Sequence, residues 1–238
     1  MEMKILYIAP CAAHQLEYIN SFYREMHNVT VLTDSFSFHT RRLIKPSFEY
    51  SFKNVKGPFF LGILRKLIYK YPLPNQLLIF IDHLINKSYE INLKRLKNKK
   101  FDFVIAYKDM GIKYINDFKK NGALWIVDEV NTHPEFFEAI LNKEKKRLGI
   151  KGNKVFSLKK IESIKRAYEM SDVILIPSRH VYRILKKRTL KNKRFIINPY
   201  GCPFPIIKRF NMQFERINLI CVARMHYRKG IIYLLKAF

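Results

Sequence analysis

Acidic residues are scarce in this chain: 19 Asp and Glu stand against 45 Lys and Arg in 238 residues, a formal net charge of +26. Such a surface attracts nucleic acid, anionic lipid and phosphorylated ligands. The cations are spread along most of the sequence, so charge alone does not select a partner. Cysteine is also rare. Cys11, Cys202 and Cys221 form no CxxC pair and their number is odd, which argues against a disulfide framework or a zinc site and fits a reducing cytosol. Long apolar runs are missing. The most apolar stretch, residues 59–85, is broken by Arg65, Lys66, Lys70, Pro72, Pro74, Asn75, Gln76 and Asp82. It falls short of the roughly 20 apolar residues that span a bilayer. The N-terminus runs straight into a strand-like segment, so no signal peptide is expected. There is no internal repeat and no low-complexity tract.

What is present is a 48% apolar share, enough for a sizeable core. Residues 4–9 (KILYIA) predict a buried strand. A small-residue loop, Cys11, Ala12 and Ala13, leads to a helix with Leu16, Ile19, Phe22, Tyr23 and Met26 on one face, and residues 29–32 (VTVL) predict a second strand. This β-α-β opening, without a hairpin signal, points to a parallel sheet. Residues 34–58 interleave Arg41, Arg42, Lys45, Lys53 and Lys56 with aromatics. Such a pattern can stack single-stranded nucleic acid, but inward packing of the aromatics is favoured because no nucleic-acid-binding motif accompanies it. Residues 59–71 and 76–96 read as helices split at Pro72 and Pro74. Their basic amphipathic character suits either an anionic membrane surface or a core helix with a solvated back.

Further strands are expected at 101–107, 123–127, 172–176 and 194–198, with helices at 109–120, 135–147, 157–170 and after Ser178. The strand at 123–127 runs directly into DEVNTHPEFF, which sets Asp128, Glu129 and His133 at the carboxyl edge, where α/β sheets bind ligands. His133 precedes a proline and is either a turn residue or a functional imidazole. Residues 206–216 are polar and basic and read as a linker. Residues 217–238 (INLICVARMHYRKGIIYLLKAF) read as strand, basic turn and helix. Arg224 and Lys229 bracket that turn, and Gly230 opens the helix. A diphosphate suits two cations at a helix N-terminus, and a solvated basic loop is the plain alternative. Phe238 falls inside the apparent helix with no cap, and one βα unit cannot cover a parallel sheet. The expectation is a fragment: an N-terminal domain over 1–205, a linker over 206–216, and the start of a second domain over 217–238.

Three segments together resemble glycosyltransferase family 4. IESIKRAYEMSDVILIPSRHVYRIL (161–185) is similar to its helix, "aDxiixpS", helix run. FIINPYGCP (195–203) is similar to its "ixvipyGvd" stretch. LICVARMHYRKGIIYLLKAF (219–238) is similar to the "vgrlxxxKGixxllxAf" opening of its C-terminal domain. Residues 126–149 also resemble a "DRGSxH…EExxxxG" run of some members. The resemblance implies an α/β, GT-B-type fold of two facing Rossmann-like domains, the second truncated here. It implies sugar transfer, with retention of configuration, from a nucleotide sugar to a glycan or lipid-linked acceptor, without a cofactor or a bound metal. Arg224, Lys229 and Gly230 match the donor-diphosphate site, and His133 a catalytic histidine near the donor sugar. Cys11, Ala12, Ala13, Asp128 and Glu129 fall in the acceptor and donor loops. The chain departs from the pattern in three places. The first loop lacks glycine, Ala223 replaces a glycine, and Glu129 stands where an arginine is common. It also ends before the family's paired-glutamate motif, so this chain alone is expected to be inactive. Its expected place is the cytoplasm, at the inner face of a membrane if the acceptor is lipid-linked. A non-catalytic remnant that binds glycans or a partner enzyme is the alternative. Nucleic-acid binding, supported by charge alone, is disfavoured.

Overall fold

Strand β1 (Lys4–Ile8) shows how the sequence builds the sheet. Successive residues point to opposite faces, so Leu6 and Ile8 enter one core cluster while Ile5 and Tyr7 enter another. Burial on both faces is the signature of a central parallel strand. The computed structural model describes residues 2–10, 21, 25, 27–34, 55–58, 60–64, 75–152, 154–188, 192–199, 219–223 and 227–238. The other strands are β2 (Asn28–Leu32), β3 (Val55–Lys56), β4 (Phe103–Tyr107), β5 (Leu124–Asp128), β6 (Val173–Ile176) and β7 (Arg194–Ile197). They form one parallel sheet in the order β3-β2-β1-β4-β5-β6-β7. The order reverses between β1 and β4, which opens the crevice at their carboxyl ends that α/β sheets use for ligands.

One face of the sheet is covered by helices α1 (Asn75–Leu96), α2 (Ile115–Lys120), α4 (Leu158–Met170) and α5 (Arg179–Arg188). In α1 the buried residues Ile81, Ile85, Tyr89 and Leu93 recur every four positions, one stripe of a helix. Phe118 of α2 stacks beside Trp125 of β5 at 5.8 Å between centroids. Burying an apolar side chain of this size stabilises by ~1.5–3 kcal/mol. The first turns of α1 carry Leu77, Ile79 and Phe80 and leave them exposed. Helix α3 (Pro134–Arg147) follows β5, and α6 (Ile231–Ala237) follows a 3₁₀ turn at Tyr227–Lys229.

Three readings of the sequence need correction. Strand β3 lies within 34–58, read above as irregular; two residues, Val55 and Lys56, pair with Val31 and Leu32 and carry no alternation to betray them. The helix expected over 109–120 begins only at Ile115, after a tight turn and a 3₁₀ turn at Ile112–Tyr114. The strand expected over 217–223 does not form among its described residues. Residues 219–222 have no regular structure and are exposed, with Ile220 at 88% and Val222 at 94%; no described strand lies beside them to supply ladder hydrogen bonds. Residues 217 and 218 lie outside the described residues, as does the whole of the expected linker, 206–216.

Candidate active site

The carboxyl ends of β4 and β5 carry a dense group of buried polar side chains, Lys108, Asp128, Glu129 and His133. Asp128 and Glu129 are consecutive, so they point to opposite sides. Asp128 Oδ2 accepts a hydrogen bond from the Tyr7 hydroxyl at 2.6 Å, inside the sheet. Glu129 turns toward the helical layer. Its Oε2 accepts from the Tyr168 hydroxyl at 2.5 Å and its Oε1 from the Asn131 amide at 2.9 Å. The Lys108 ammonium stands 3.6 Å from Oε1. Lys108 itself is buried, packed over the rings of Phe156 at 5.2 Å and Tyr107 at 5.7 Å. Burial raises the Glu129 carboxyl above its ordinary range, and Lys108 and Tyr168 work against that rise. The same burial, with Glu129 and Asp128 nearby, pushes the Tyr107 hydroxyl up to about 12, and Tyr168 also moves well upward. Both tyrosines therefore remain protonated donors at neutral pH.

The backbone at Lys108 is left-handed, with φ 49, the one non-glycine residue with positive φ among those described. Lys108 is the second residue of a tight turn closed by the Met110 amide on the Tyr107 carbonyl at 3.0 Å. That conformation costs a residue with a Cβ about 1–2 kcal/mol. The ion pair and the two rings hold it in place, and the turn sets Asp109, its side chain largely buried, beyond the end of β4.

His133 is the N-cap of α3. Its Nδ1 accepts from the Glu135 amide at 3.3 Å, and Pro134 occupies the first helical position, where a missing N–H costs nothing. An accepting Nδ1 carries no proton, so the neutral imidazole has its hydrogen on Nε2. Burial lowers the pKa of His133 and keeps it neutral; Arg188 and Lys165 act the same way, against Glu135. Nε2 is buried and has no hydrogen-bond partner among the described residues. His133 therefore offers one fixed N–H donor at the carboxyl edge. Its ring sits 6.2 Å from that of Tyr168, which ties it to the Glu129 network.

The basic turn at the far end of the sequence docks on this same helix. The Arg228 guanidinium lies over Phe137, one turn along α3 from His133, at 5.7 Å. Arg147 covers the ring of Tyr233 at 4.8 Å, and the Tyr233 hydroxyl donates to Glu144. Lys229 is exposed in the 3₁₀ turn, and Gly230 caps α6 in the left-handed region with φ 68. Arg224 lies outside the described residues, and so do Cys11, Ala12 and Ala13. The structure thus brings His133 and the Lys229 turn onto one helix, and turns Asp128 and Glu129 inward. Sequence reading missed Lys108 and Asp109, although the KDMG run after a strand is a turn signal. Among the described residues no group of three or more His, Cys, Asp or Glu is placed to hold a metal, and no helix is long and apolar enough to cross a membrane.

No protein-family model and no curated protein sequence matches the chain. Solved structures do match. Arabidopsis thaliana UGT89C1 complexed with UDP-L-rhamnose aligns with a TM-score of 0.53 at 15% identity, over 86% of this chain and 50% of that one. Glycyrrhiza uralensis UGT73P12 complexed with glycyrrhetinic acid 3-O-monoglucuronide aligns with a TM-score of 0.50 at 11% identity, over 83% and 48%. The chain spans about half the length of the solved structures it resembles. These neighbours are GT-B glycosyltransferases. The chain's fold is α/β, of the Rossmann-like parallel-sheet type that it shares with them.

Proposed function

We propose that the protein takes part in glycosyl transfer, moving a sugar from a nucleotide sugar to a hydroxyl-bearing glycan or lipid-linked acceptor, with retention of configuration. The observation that carries this reading is the juxtaposition on α3. A buried imidazole with a fixed Nε2–H that has no partner among the described residues caps the helix, and the basic turn holding Lys229 packs one turn further along. A donor N–H held in a fixed direction suits a sugar hydroxyl or a developing oxyanion. Cations beside it suit the diphosphate that leaves when the glycosidic bond to the donor breaks. The neighbour complexed with UDP-L-rhamnose supports the nucleotide-sugar class. The retaining outcome rests on the resemblance to glycosyltransferase family 4. His133 in this reading binds and orients through Nε2; with Nδ1 engaged as the cap acceptor, it is not a base.

A membrane-surface acceptor is supported by exposed Phe60, Leu77, Ile79 and Phe80, set in a chain of net charge +26. Co-sedimentation with vesicles containing phosphatidylglycerol, against neutral phosphatidylcholine vesicles, tests that part. For the reaction itself, the complete open reading frame containing these residues is incubated with UDP- and GDP-sugars and lipid or oligosaccharide acceptors. The product is then examined by proton NMR. A new glycosidic bond with the donor's anomeric configuration is expected; inversion removes the retaining mechanism, and no product under any donor removes the transferase reading.

A further inference from the structure

Behind the strained turn at Lys108 lies a cavity of about 430 Å³ between α1, the loop after β4 and the start of α4. This is within the range of small-ligand sites, about 300–1,000 Å³. Its charged lining carries both signs. Asp109 and Glu90 contribute two carboxylates; Lys113, Lys159 and Lys160 contribute three ammoniums. The side chain of Asp109 is only 8% exposed, against 49% for Glu90, 70% for Lys113 and 47% for Lys160, so Asp109 is the deep group and the others form the rim. One pair lies on the rim, where Lys113 Nζ donates to Glu90 Oε1 at 2.5 Å; a second joins rim to depth, with Lys160 Nζ 2.7 Å from Asp109 Oδ1. The second contact has an ion pair's distance, and Oδ1 is buried with no further hydrogen-bond donor among the described residues.

These features select a ligand by its chemistry. A deep carboxylate disfavours an anion, and the rim lysines disfavour a cation. The charged heads make the mouth a poor place for a hydrocarbon. A neutral polyhydroxy compound fits, because each hydroxyl can donate to Asp109 or Glu90 and accept from a lysine. Half-buried Met110, Ile112 and Tyr114 offer apolar surface for the C–H face of a sugar ring. The Tyr89 hydroxyl donates to the Ala9 carbonyl at 3.0 Å, which fixes this wall to the end of β1 at the switch point.

We propose that this cavity is a sugar-binding subsite, with the Asp109 carboxylate accepting from a ligand hydroxyl. Its assignment to the acceptor sugar rests on the transferase reading above; sugar binding itself does not. The test is saturation-transfer NMR and calorimetry with the methyl glycosides of glucose, galactose, mannose and N-acetylglucosamine, without nucleotide. Inorganic phosphate and spermidine serve as the anion and cation probes. At least one glycoside is expected to bind. Asp109→Asn weakens it by at least roughly tenfold, the usual loss when a charge-assisted hydrogen bond is removed. Asn86 is exposed on α1 at the cavity, and Asn86→Trp blocks the site without touching the core. Binding by the native protein that is lost in Asn86→Trp, with an unchanged thermal melt, supports the subsite even if no transfer is ever seen. No glycoside binding, glycoside binding indifferent to both substitutions, or phosphate or spermidine binding that Asn86→Trp abolishes overturns it.

Discussion

Glu129→Ala should destabilise the fold by about 3–5 kcal/mol, the usual loss when one member of a buried ion pair is removed. The figure follows from what the carboxylate holds. Its side chain is fully buried and that of Lys108 is 7% exposed, with 3.6 Å between the charges. At an effective dielectric of about 20 the gross attraction at that distance is about 4–5 kcal/mol, most of which desolvation of the two charges offsets. Truncation, however, strands the Lys108 ammonium in the interior and removes the acceptor of the Tyr168 hydroxyl and the Asn131 amide. In a chain of this length each kcal/mol moves the midpoint by about 2–4 °C, so a fall of about 6–20 °C is expected. The single tryptophan, Trp125, is fully buried and reports unfolding in a urea titration by its fluorescence. Lys108→Met combined with Glu129→Leu removes both charges and should recover most of the loss, a coupling that a double-mutant cycle measures. A loss below about 1 kcal/mol for Glu129→Ala would refute the reasoning, since surface carboxylates behave that way.

The two duties of His133 separate by substitution. His133→Asn keeps a good N-cap and should leave the melting midpoint nearly unchanged while lowering donor turnover; His133→Ala also loses the cap, at about 0.5–2 kcal/mol, read by the same urea titration. The pH dependence has a defined sign. Burial sets the folded-state pKa of His133 below 6.5, so the unfolded chain binds the proton more tightly, and stability falls as pH drops below about 6.5 until the folded pKa is passed. Urea titrations from pH 7.5 to 5 should show this slope in the native protein and less of it in His133→Asn. Gly111→Ala should destabilise by about 1–2 kcal/mol from its left-handed backbone alone. Gly111 has φ 73, and an added Cβ would sit 3.2 Å from Trp125 Cη2, so a thermal melt unchanged by the substitution would contradict the described turn.

The sheet was legible in the sequence because its central strands are buried on both faces and short. Apolar runs such as 103–107 and 173–176 fit little else between helical stripes. What escaped was what depends on partners distant in the chain. Val55 and Lys56 become a strand only because β2 lies alongside, and residues 219–222 share the apolar character of a strand but have no described neighbour to pair with. The site was legible only as positions on an edge. Pattern placed Asp128 and Glu129 after β5 but could not reveal that Tyr7 and Tyr168, more than a hundred and nearly forty positions away, turn them inward. A buried lysine in a left-handed turn is opposed to every local preference, so Lys108, and with it the Asp109 cavity, had no signature beyond a turn signal. His133 was found by its place at the carboxyl edge after β5, while its neighbour Pro134 suggested only a turn; the cap bond at the start of α3 explains both the place and the tautomer.

The measurement that bears most directly on the account is release of nucleoside diphosphate from a panel of UDP- and GDP-sugars by the complete reading frame, beside its Arg224→Ala, Lys229→Ala double variant. The account predicts release from at least one donor, reduced on the order of a hundredfold or more in the double variant because two charge-assisted contacts to the leaving group are lost. Release that is indifferent to both substitutions, or none from any donor, would contradict it.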